Sequence, residues 1–249
     1  MHITGNTILV TGGTSGIGLG LALRLQEQGN KVIIAGRRRA LLDEITLAHP
    51  GVDGIELDVA DPASIERARE RLSVAHPDLN VLVNNAGIML KEDLLDPADV
   101  HVAADHVLVN LLGTIRMTYA FLPALVGKDG AAVLNVTSAV AYVPYPSTPT
   151  YGATKAALHS FTESLRVQLA SADAGVQVIE VVPSGVRTDL LDQRDNEQAM
   201  PLEDFLTEVL GKLRDDPDAP ELVVDSARPI RQAVADGSYD AMLTAFSRL

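Results

Sequence analysis

Tyr151 and Lys155, in the run Tyr151-Gly152-Ala153-Thr154-Lys155, put an acid that can be tuned one helical turn from a charge that can tune it. On a helix, residues four apart share a face, with Cβ atoms about 5–6 Å apart. A free phenol has a pKa of about 10, so at neutral pH about one molecule in a thousand is ionised. Two unit charges about 4 Å apart interact by about 4 kcal/mol at an effective dielectric near 20, the equivalent of about three pKa units. A lysine in that place would bring the phenol into the range useful for general acid–base work. Tyr-x-x-x-Lys on its own is common on surface helices. Its meaning depends on Ser138 upstream and on the elements that would bring these groups together.

Those elements can be read from periodicity. Thr7 to Thr11, Lys31 to Ala35, Val52 to Leu57, Val81 to Asn84, Ala131 to Thr137 and Val176 to Val182 read as strands. Such near-continuous Val/Ile/Leu runs belong to parallel sheets covered on both faces. Helical patterns lie near 17–28, 39–48, 62–75, 98–126 and 152–172. The alternation implies right-handed βαβ units, hence an α/β fold with a doubly wound parallel sheet and helices on both faces. Asp61-Pro62 has the form of a helix start, and Gly29-Asn30 and Gly175 have the form of helix ends. No linker interrupts the alternation, so residues 1–249 read as a single domain. The stretch 188–220 is acidic and polar, with one helical pattern near 202–214, and Glu221-Leu222-Val223-Val224 after it would make a seventh strand. A segment of that length between strands is either a lid over a site or a connecting helix.

Between the first strand and the first helix lies Thr11-Gly12-Gly13-Thr14-Ser15-Gly16-Ile17-Gly18. Glycines there let the backbone turn tightly and approach a pyrophosphate, which the free N–H groups of the helix N-terminus then hold. The second strand ends in Gly36-Arg37-Arg38-Arg39, where a dinucleotide fold selective for NAD places an acidic residue. A carboxylate would repel a ribose 2′-phosphate, whereas a guanidinium fork holds it with charge-assisted hydrogen bonds. NADP(H) is therefore the expected cofactor over NAD(H), with Arg37 as the first candidate and Arg38 as the second. A solvated basic helix start accounts for at least one of the three arginines.

Composition removes other classes of function. The net charge of −13 leaves no basic stripe for nucleic acid. There are no cysteines, which excludes disulfides, thiolate catalysis and cysteine-bound zinc. No signal-peptide pattern opens the chain and no apolar run suggests a membrane span, so a soluble cytoplasmic protein is expected. His101 and His106 are five apart and share no helical face, so no metal site is expected there, and His159 reads as a core or interface residue.

With the glycine turn, Asn84-Asn85-Ala86-Gly87, Ser138 and Tyr151/Lys155 in this order, the chain resembles the short-chain dehydrogenase/reductase superfamily over residues 6–190. The resemblance implies a Rossmann-type sheet of about seven strands with the cofactor at its carboxyl ends. It implies cofactor contacts from Gly12, Thr14, Ser15, Gly16, Ile17 and Gly18, and adenine contacts from Asp58 and Val59. Asn85, Ala86 and Gly87 would shape the cofactor floor, and Pro183, Ser184, Val186 and Thr188 would lie on the nicotinamide side. Tyr151 would exchange the proton with a carbonyl or alcohol oxygen, and Ser138 would polarise that oxygen. Lys155 would lower the phenol pKa and bind the nicotinamide ribose. Asn110 would bend its helix and hold a water leading to Lys155.

Two departures stand out: Ser184 follows Pro183 where the family usually has glycine, and the tail lacks the family's common glycine-rich ending. The first suggests a stiffer loop with a hydroxyl facing the substrate. The second puts tetramer contacts in doubt and favours a homodimer through the helices near 98–126 and 152–172. Position selects Met89, Leu90, Val140, Tyr142, Tyr145 and Ser184 as pocket candidates, which suits a fairly hydrophobic carbonyl or secondary alcohol, although Tyr145 could equally be packing. Among the carboxylates, Asp58 alone has a placement that asks for a function. The expected activity is that of an NADP(H)-dependent carbonyl reductase or alcohol dehydrogenase. The alternative is a non-catalytic dinucleotide-binding sensor on the same fold.

Overall fold

A computed structural model describes residues 1–247. Seven parallel strands form one sheet in the order β3-β2-β1-β4-β5-β6-β7. They are β1 (Thr7–Thr11), β2 (Lys31–Gly36), β3 (Val52–Glu56), β4 (Val81–Asn84), β5 (Ala132–Val136), β6 (Gln177–Val182) and β7 (Glu221–Val223). The helices that join them include α1 (Gly16–Glu27), α2 (Arg39–Ala48), α3 (Pro62–Ala75), α4 (Val100–His106), α5 (Thr114–Leu125), α6 (Pro149–Ser171) and α7 (Leu202–Asp215). Two short helices follow β7: α8 (Arg228–Gln232) and α9 (Tyr239–Phe246).

Alternation along each strand divides the core. Ile8 and Val10 of β1 pack with Leu21 and Leu25 of α1 and with Phe205 and Val209 of α7. Leu9, between them, faces Met117, Phe121 and Leu125 of α5. Both faces being covered, β1 is buried along its whole length, which is why it reads as an unbroken apolar run. At the edge, β3 keeps only Val52 and Ile55 inside. Asp61 caps α3 by accepting from the Ala63 N–H, with Pro62 in the first turn as expected. Chain order reverses between β1 and β4, and a crevice at the carboxyl ends of an open sheet belongs at such a point.

The expected helix 98–126 is one continuous helical stretch, Pro97–Leu125, but Val107–Gly113 within it is a π-helical turn. By length and composition this stretch is apolar enough to cross a membrane, contrary to the reading of the sequence as free of such runs. His106, Asn110, Thr114 and Thr118 are nevertheless buried inside the protein. The 188–220 segment also divides. Phe205, Leu206, Val209 and Leu213 of α7 are core residues, and Leu206 packs against Gly20 of α1. α7 is thus a connecting helix, and the remainder outside it, 188–201 and 216–220, is mostly exposed or half-buried, with Ala199 buried.

Candidate active site

The phosphate end of the crevice is shaped by close approach. Gly12 and Gly16 have φ of +64° and +53°, a region that disfavours side chains. A Cβ at Gly18 would lie 2.3 Å from the Gly12 carbonyl oxygen and 2.4 Å from Asn85 Nδ2. The Asn85 amide donates to the carbonyls of Thr11 (3.1 Å) and Gly12 (3.3 Å). Asn85 therefore braces the turn with its side chain, in place of simply lining the floor. Thr11, a residue without a sequence signal of its own, accepts from the N–H groups of Asn85 and Ala86 and fixes that segment to the turn. Ser15 precedes α1 in extended conformation and makes no side-chain cap, so the N–H groups of that helix start are left to a ligand.

Of the three arginines, Arg39 is tied to Asp43 at 2.9 Å. Arg38 donates to the buried Thr14 hydroxyl at 3.1 Å, which moves it ahead of Arg37, an exposed residue with no such anchor. Asp58 spends one carboxylate oxygen on the Ala60 N–H at 2.9 Å, and Val59 is buried where Gly113 allows close approach. Thr188 lies over the glycine turn: a Cβ on Gly16 would come within 3.3 Å of its methyl group. Ile17 is partly buried against the core, and Val186 is buried beside it. The backbones of Val186 and Met200 pair.

At the other end, Tyr151 and Lys155 are 6% and 5% exposed, and Lys155 Nζ lies 5.6 Å from the centroid of the Tyr151 ring. Nζ donates to the Val136 carbonyl at 2.7 Å. Burial pushes the phenol up to about 12 while the neighbouring Ser138 hydroxyl draws it back. Burial also pushes Lys155 down to about 8, against the field of Glu180. The expectation that the lysine lowers the phenol is thus not met by the protein groups alone: desolvation outweighs the Ser138 hydrogen bond. Ser138 opens a single helical turn at Ala139–Ala141 and accepts from the Val140 N–H at 3.3 Å. The Pro183 carbonyl accepts from the Ala139 N–H at 2.8 Å, joining the loop after β6 to the serine turn.

Asn110 sits in the π-helical turn, and both ends of its carboxamide are used on Ile88: Oδ1 accepts from the N–H and Nδ2 donates to the carbonyl, each at 2.8 Å. Its side chain clamps the loop after β4. Gly87 lies against it. Met89 is buried and Val140 half-buried. Tyr145 stacks edge-on against Phe246 of α9, centroids 6.1 Å apart, so part of its ring is packing. The Ser184 hydroxyl is bonded to Ser226 Oγ at 2.7 Å. It ties two loops together.

Beside these groups lies a second set, centred on Glu180, which no sequence motif marks out, and drawing in Tyr142 and His159. Glu180, fully buried on β6, accepts from the Thr137 hydroxyl at 2.7 Å and from His159 Nδ1–H at 2.8 Å. The Tyr142 hydroxyl donates to it at 3.3 Å. Burial works to raise this carboxyl, but the bonds from His159 and Thr137 outweigh it and hold it below its ordinary value. His159, Glu180 and Glu221 bring potential ligand atoms within 4.8 Å of one another. The cationic charge facing them already comes from the protein: Arg231 grips Glu221 through two bonds of 3.0 and 3.1 Å and stands 4.4 Å from the Tyr142 ring. A Glu inside Gln177-Val178-Ile179-Glu180-Val181-Val182 is a signal that could have been read, because a charge in a buried strand requires partners.

Residues 6–199 match the family model described as short chain dehydrogenase. An uncharacterized oxidoreductase, DltE, of Bacillus subtilis is 42% identical over 201 residues, 80% of this chain and 79% of that protein. An NADP-dependent 3-hydroxy acid dehydrogenase, YdfG, of Salmonella typhi is 37% identical over 180 residues, 71% of each chain. Among solved structures, a short chain dehydrogenase from Burkholderia cenocepacia J2315 in complex with NADP superposes with a TM-score of 0.84. It is 31% identical, and the match covers 98% of this chain and 99% of that one. The uncapped α1 start, the cradle that a Cβ at Gly18 would fill, and the buried tyrosine and lysine fit the dinucleotide this likeness implies. The chain belongs to the short-chain dehydrogenase/reductase family, as an oxidoreductase that uses a nicotinamide cofactor.

Proposed function

We propose that the protein transfers a hydride between NADP(H) and the carbonyl or secondary alcohol carbon of a fairly hydrophobic small molecule. The observation that carries this reading is the sealed grouping of Ser138, Tyr151 and Lys155, in which Lys155 has no carboxylate partner among the described residues. An unpaired buried ammonium costs stability, and its use is to stabilise negative charge on the neighbouring phenol.

When bound, the nicotinamide supplies the hydride in reduction and accepts it in oxidation. Tyr151 O–H donates its proton to the carbonyl oxygen in reduction, or its phenolate takes the proton of an alcohol in oxidation. Ser138 Oγ–H donates to the same oxygen, and the Lys155 ammonium stabilises the phenolate. Asn110 holds the Ile88 backbone, which fixes the loop carrying Met89. The glycine turn and the α1 N-terminus would hold the pyrophosphate, and Arg38, with Arg37 beside it, the 2′-phosphate. NADP(H) is favoured over NAD(H) because these two guanidiniums occupy the end of β2. Met89, Val140 and Tyr145 present an apolar wall, which favours a hydrophobic substrate. The exposed Tyr119 on α5 and Val167 on α6, at 74% and 65%, support a homodimer through those helices.

The test is oxidation of NADPH and of NADH against a panel of apolar and anionic ketones. The proposal expects turnover with NADPH, fastest on apolar ketones. Tight NADPH binding with no turnover on any carbonyl would favour the sensor reading.

A further inference from the structure

Glu92 lies on the loop after β4 and His106 at the end of α4, and their side chains are 2% and 0% exposed. A buried carboxylate is costly unless donors satisfy it. Glu92 Oε1 accepts from His106 Nδ1–H at 3.0 Å and from the Thr150 N–H at 3.1 Å. Its Oε2 accepts from the Thr150 hydroxyl at 2.6 Å. Across the imidazole, Nε2 accepts from the Leu90 N–H at 3.0 Å. With Nε2 accepting, the ring proton belongs on Nδ1, so the imidazole is neutral and in one tautomer. Burial, opposed by Glu92, keeps its pKa below the ordinary imidazole value, in agreement with that state.

The pair connects three parts of the site. His106 and Asn110 are four apart, and they hold the main chain at Leu90 and Ile88 respectively. Thr148, which precedes α6, makes no side-chain cap. Glu92 reaches across to bond the Thr150 N–H instead, and so places a carboxylate at the N-terminus of the 23-residue helix that carries Tyr151 and Lys155. The His106 ring also meets the Tyr151 ring edge-on, with centroids 6.0 Å apart and planes at 65°.

We infer that Glu92 and His106 are positioning residues that lock the Tyr151 ring, the start of α6 and the Leu90 main chain into one block. The phenol is thereby held at a fixed place relative to the substrate-side loop. This inference rests on Tyr151 being the acid–base group. A displacement of about 1 Å at a reacting group can cost about 100-fold in rate, so loss of the lock should be read in kcat.

Three variants separate the effects. Glu92→Leu cuts all three bonds to the carboxylate. His106→Phe keeps a ring beside Tyr151 but loses both hydrogen bonds. Glu92→Gln keeps the acceptor for His106 and the Thr150 N–H, and its amide N–H donates to the Thr150 hydroxyl. The first two should lower kcat roughly 10- to 100-fold with the KM for NADPH unchanged within about twofold, and Glu92→Gln should recover to within about fivefold of the wild type. Parallel losses of kcat, NADPH affinity and melting temperature would make the pair merely structural and overturn the inference. So would a Glu92→Gln variant as slow as Glu92→Leu. Nitrogen NMR of the six histidines in the wild type, with His106→Gln to identify the signal, is independent of turnover. A neutral Nδ1–H imidazole at pH 7 is expected, and an Nε2–H tautomer or a cation would overturn the inference. An intact tautomer in a protein that turns over no carbonyl would instead count against Tyr151 as the acid, and the inference would fall with that assignment.

Discussion

The Lys155 ammonium stands 5.6 Å from the centroid of the Tyr151 ring, and both groups are pushed toward their neutral forms by the same burial. Lys155 is brought down to about 8 and Tyr151 raised to about 12. The pair is therefore arranged for transferring a proton at some expense of stability. Lys155→Met should abolish most activity yet stabilise the fold at pH 7 by roughly 1–3 kcal/mol, because an unpaired buried charge is removed. Urea denaturation of both proteins checks this.

The same pair determines the alkaline stability profile. The folded pKa of Lys155 lies below its ordinary 10.5, so its contribution to stability is full above that value and is lost as pH falls through about 8. The folded pKa of Tyr151 lies above its ordinary 10.0, so its contribution is present below that value and is lost as pH rises through about 12. The difference in stability between Lys155→Met and wild type should shrink as pH rises from about 8 to about 10.5. Melting temperatures measured across that range provide the check; a difference independent of pH would mean that Lys155 is not buried as a cation.

His106 and His159 should act in opposite directions. Burial lowers His106, with Glu92 opposing, so its contribution to stability is present above the ordinary imidazole value and is lost as pH falls through its lowered one. Its bond to Glu180 raises His159, against burial and with Glu163 assisting and Arg231 opposing. Its contribution is present below the ordinary value and is lost as pH rises through the raised one. Replacing His106 by Gln should flatten a plot of melting temperature against pH below the ordinary imidazole value, and replacing His159 by Gln should flatten it above that value. If both variants flatten the same side, one of the two imidazoles is in the other protonation state.

Arg38→Ala should weaken NADPH binding about 10- to 100-fold, the value of a charged hydrogen bond, and leave NADH nearly unchanged. Arg39→Ala should change neither, since its guanidinium belongs to Asp43. Fluorescence titration with each cofactor checks both. Equal losses for NADPH and NADH would remove the 2′-phosphate from Arg38.

How much of this was legible in sequence depended on whether the signal was local. β1, β2, β4, β5 and β6 are buried on both faces and show it as aliphatic runs, whereas β3 is held by Val52 and Ile55 alone; the bounds of β2, β3, β5 and β6 each differed from the expected ones by one residue at an end, β5 at both. The helix before β5 was visible as one helical pattern, but its apolar length was missed. Its π-helical turn was not visible in periodicity, because Asn110 is paired with Ile88, 22 residues away in sequence. The site residues carried by motifs were found. Thr11, Glu92, His106 and Glu180 were not, since each acts through partners on other elements. Glu92 stands between Lys91 and Asp93 with no motif to mark it, and its carboxylate is buried against Thr150. Ser184 was placed correctly in the loop, but its partner Ser226, beyond β7, could not be foreseen.

In the proposed reaction Tyr151 transfers the proton while Lys155 and Ser138 support it. NADPH oxidation by wild type and by Tyr151→Phe on the best apolar ketone tests this most directly. The phenylalanine keeps the ring against His106 and removes only the hydroxyl. Removal of the general acid should lower kcat by at least about 100-fold with NADPH affinity retained. A Tyr151→Phe protein that reduces the ketone as fast as the wild type would contradict the account.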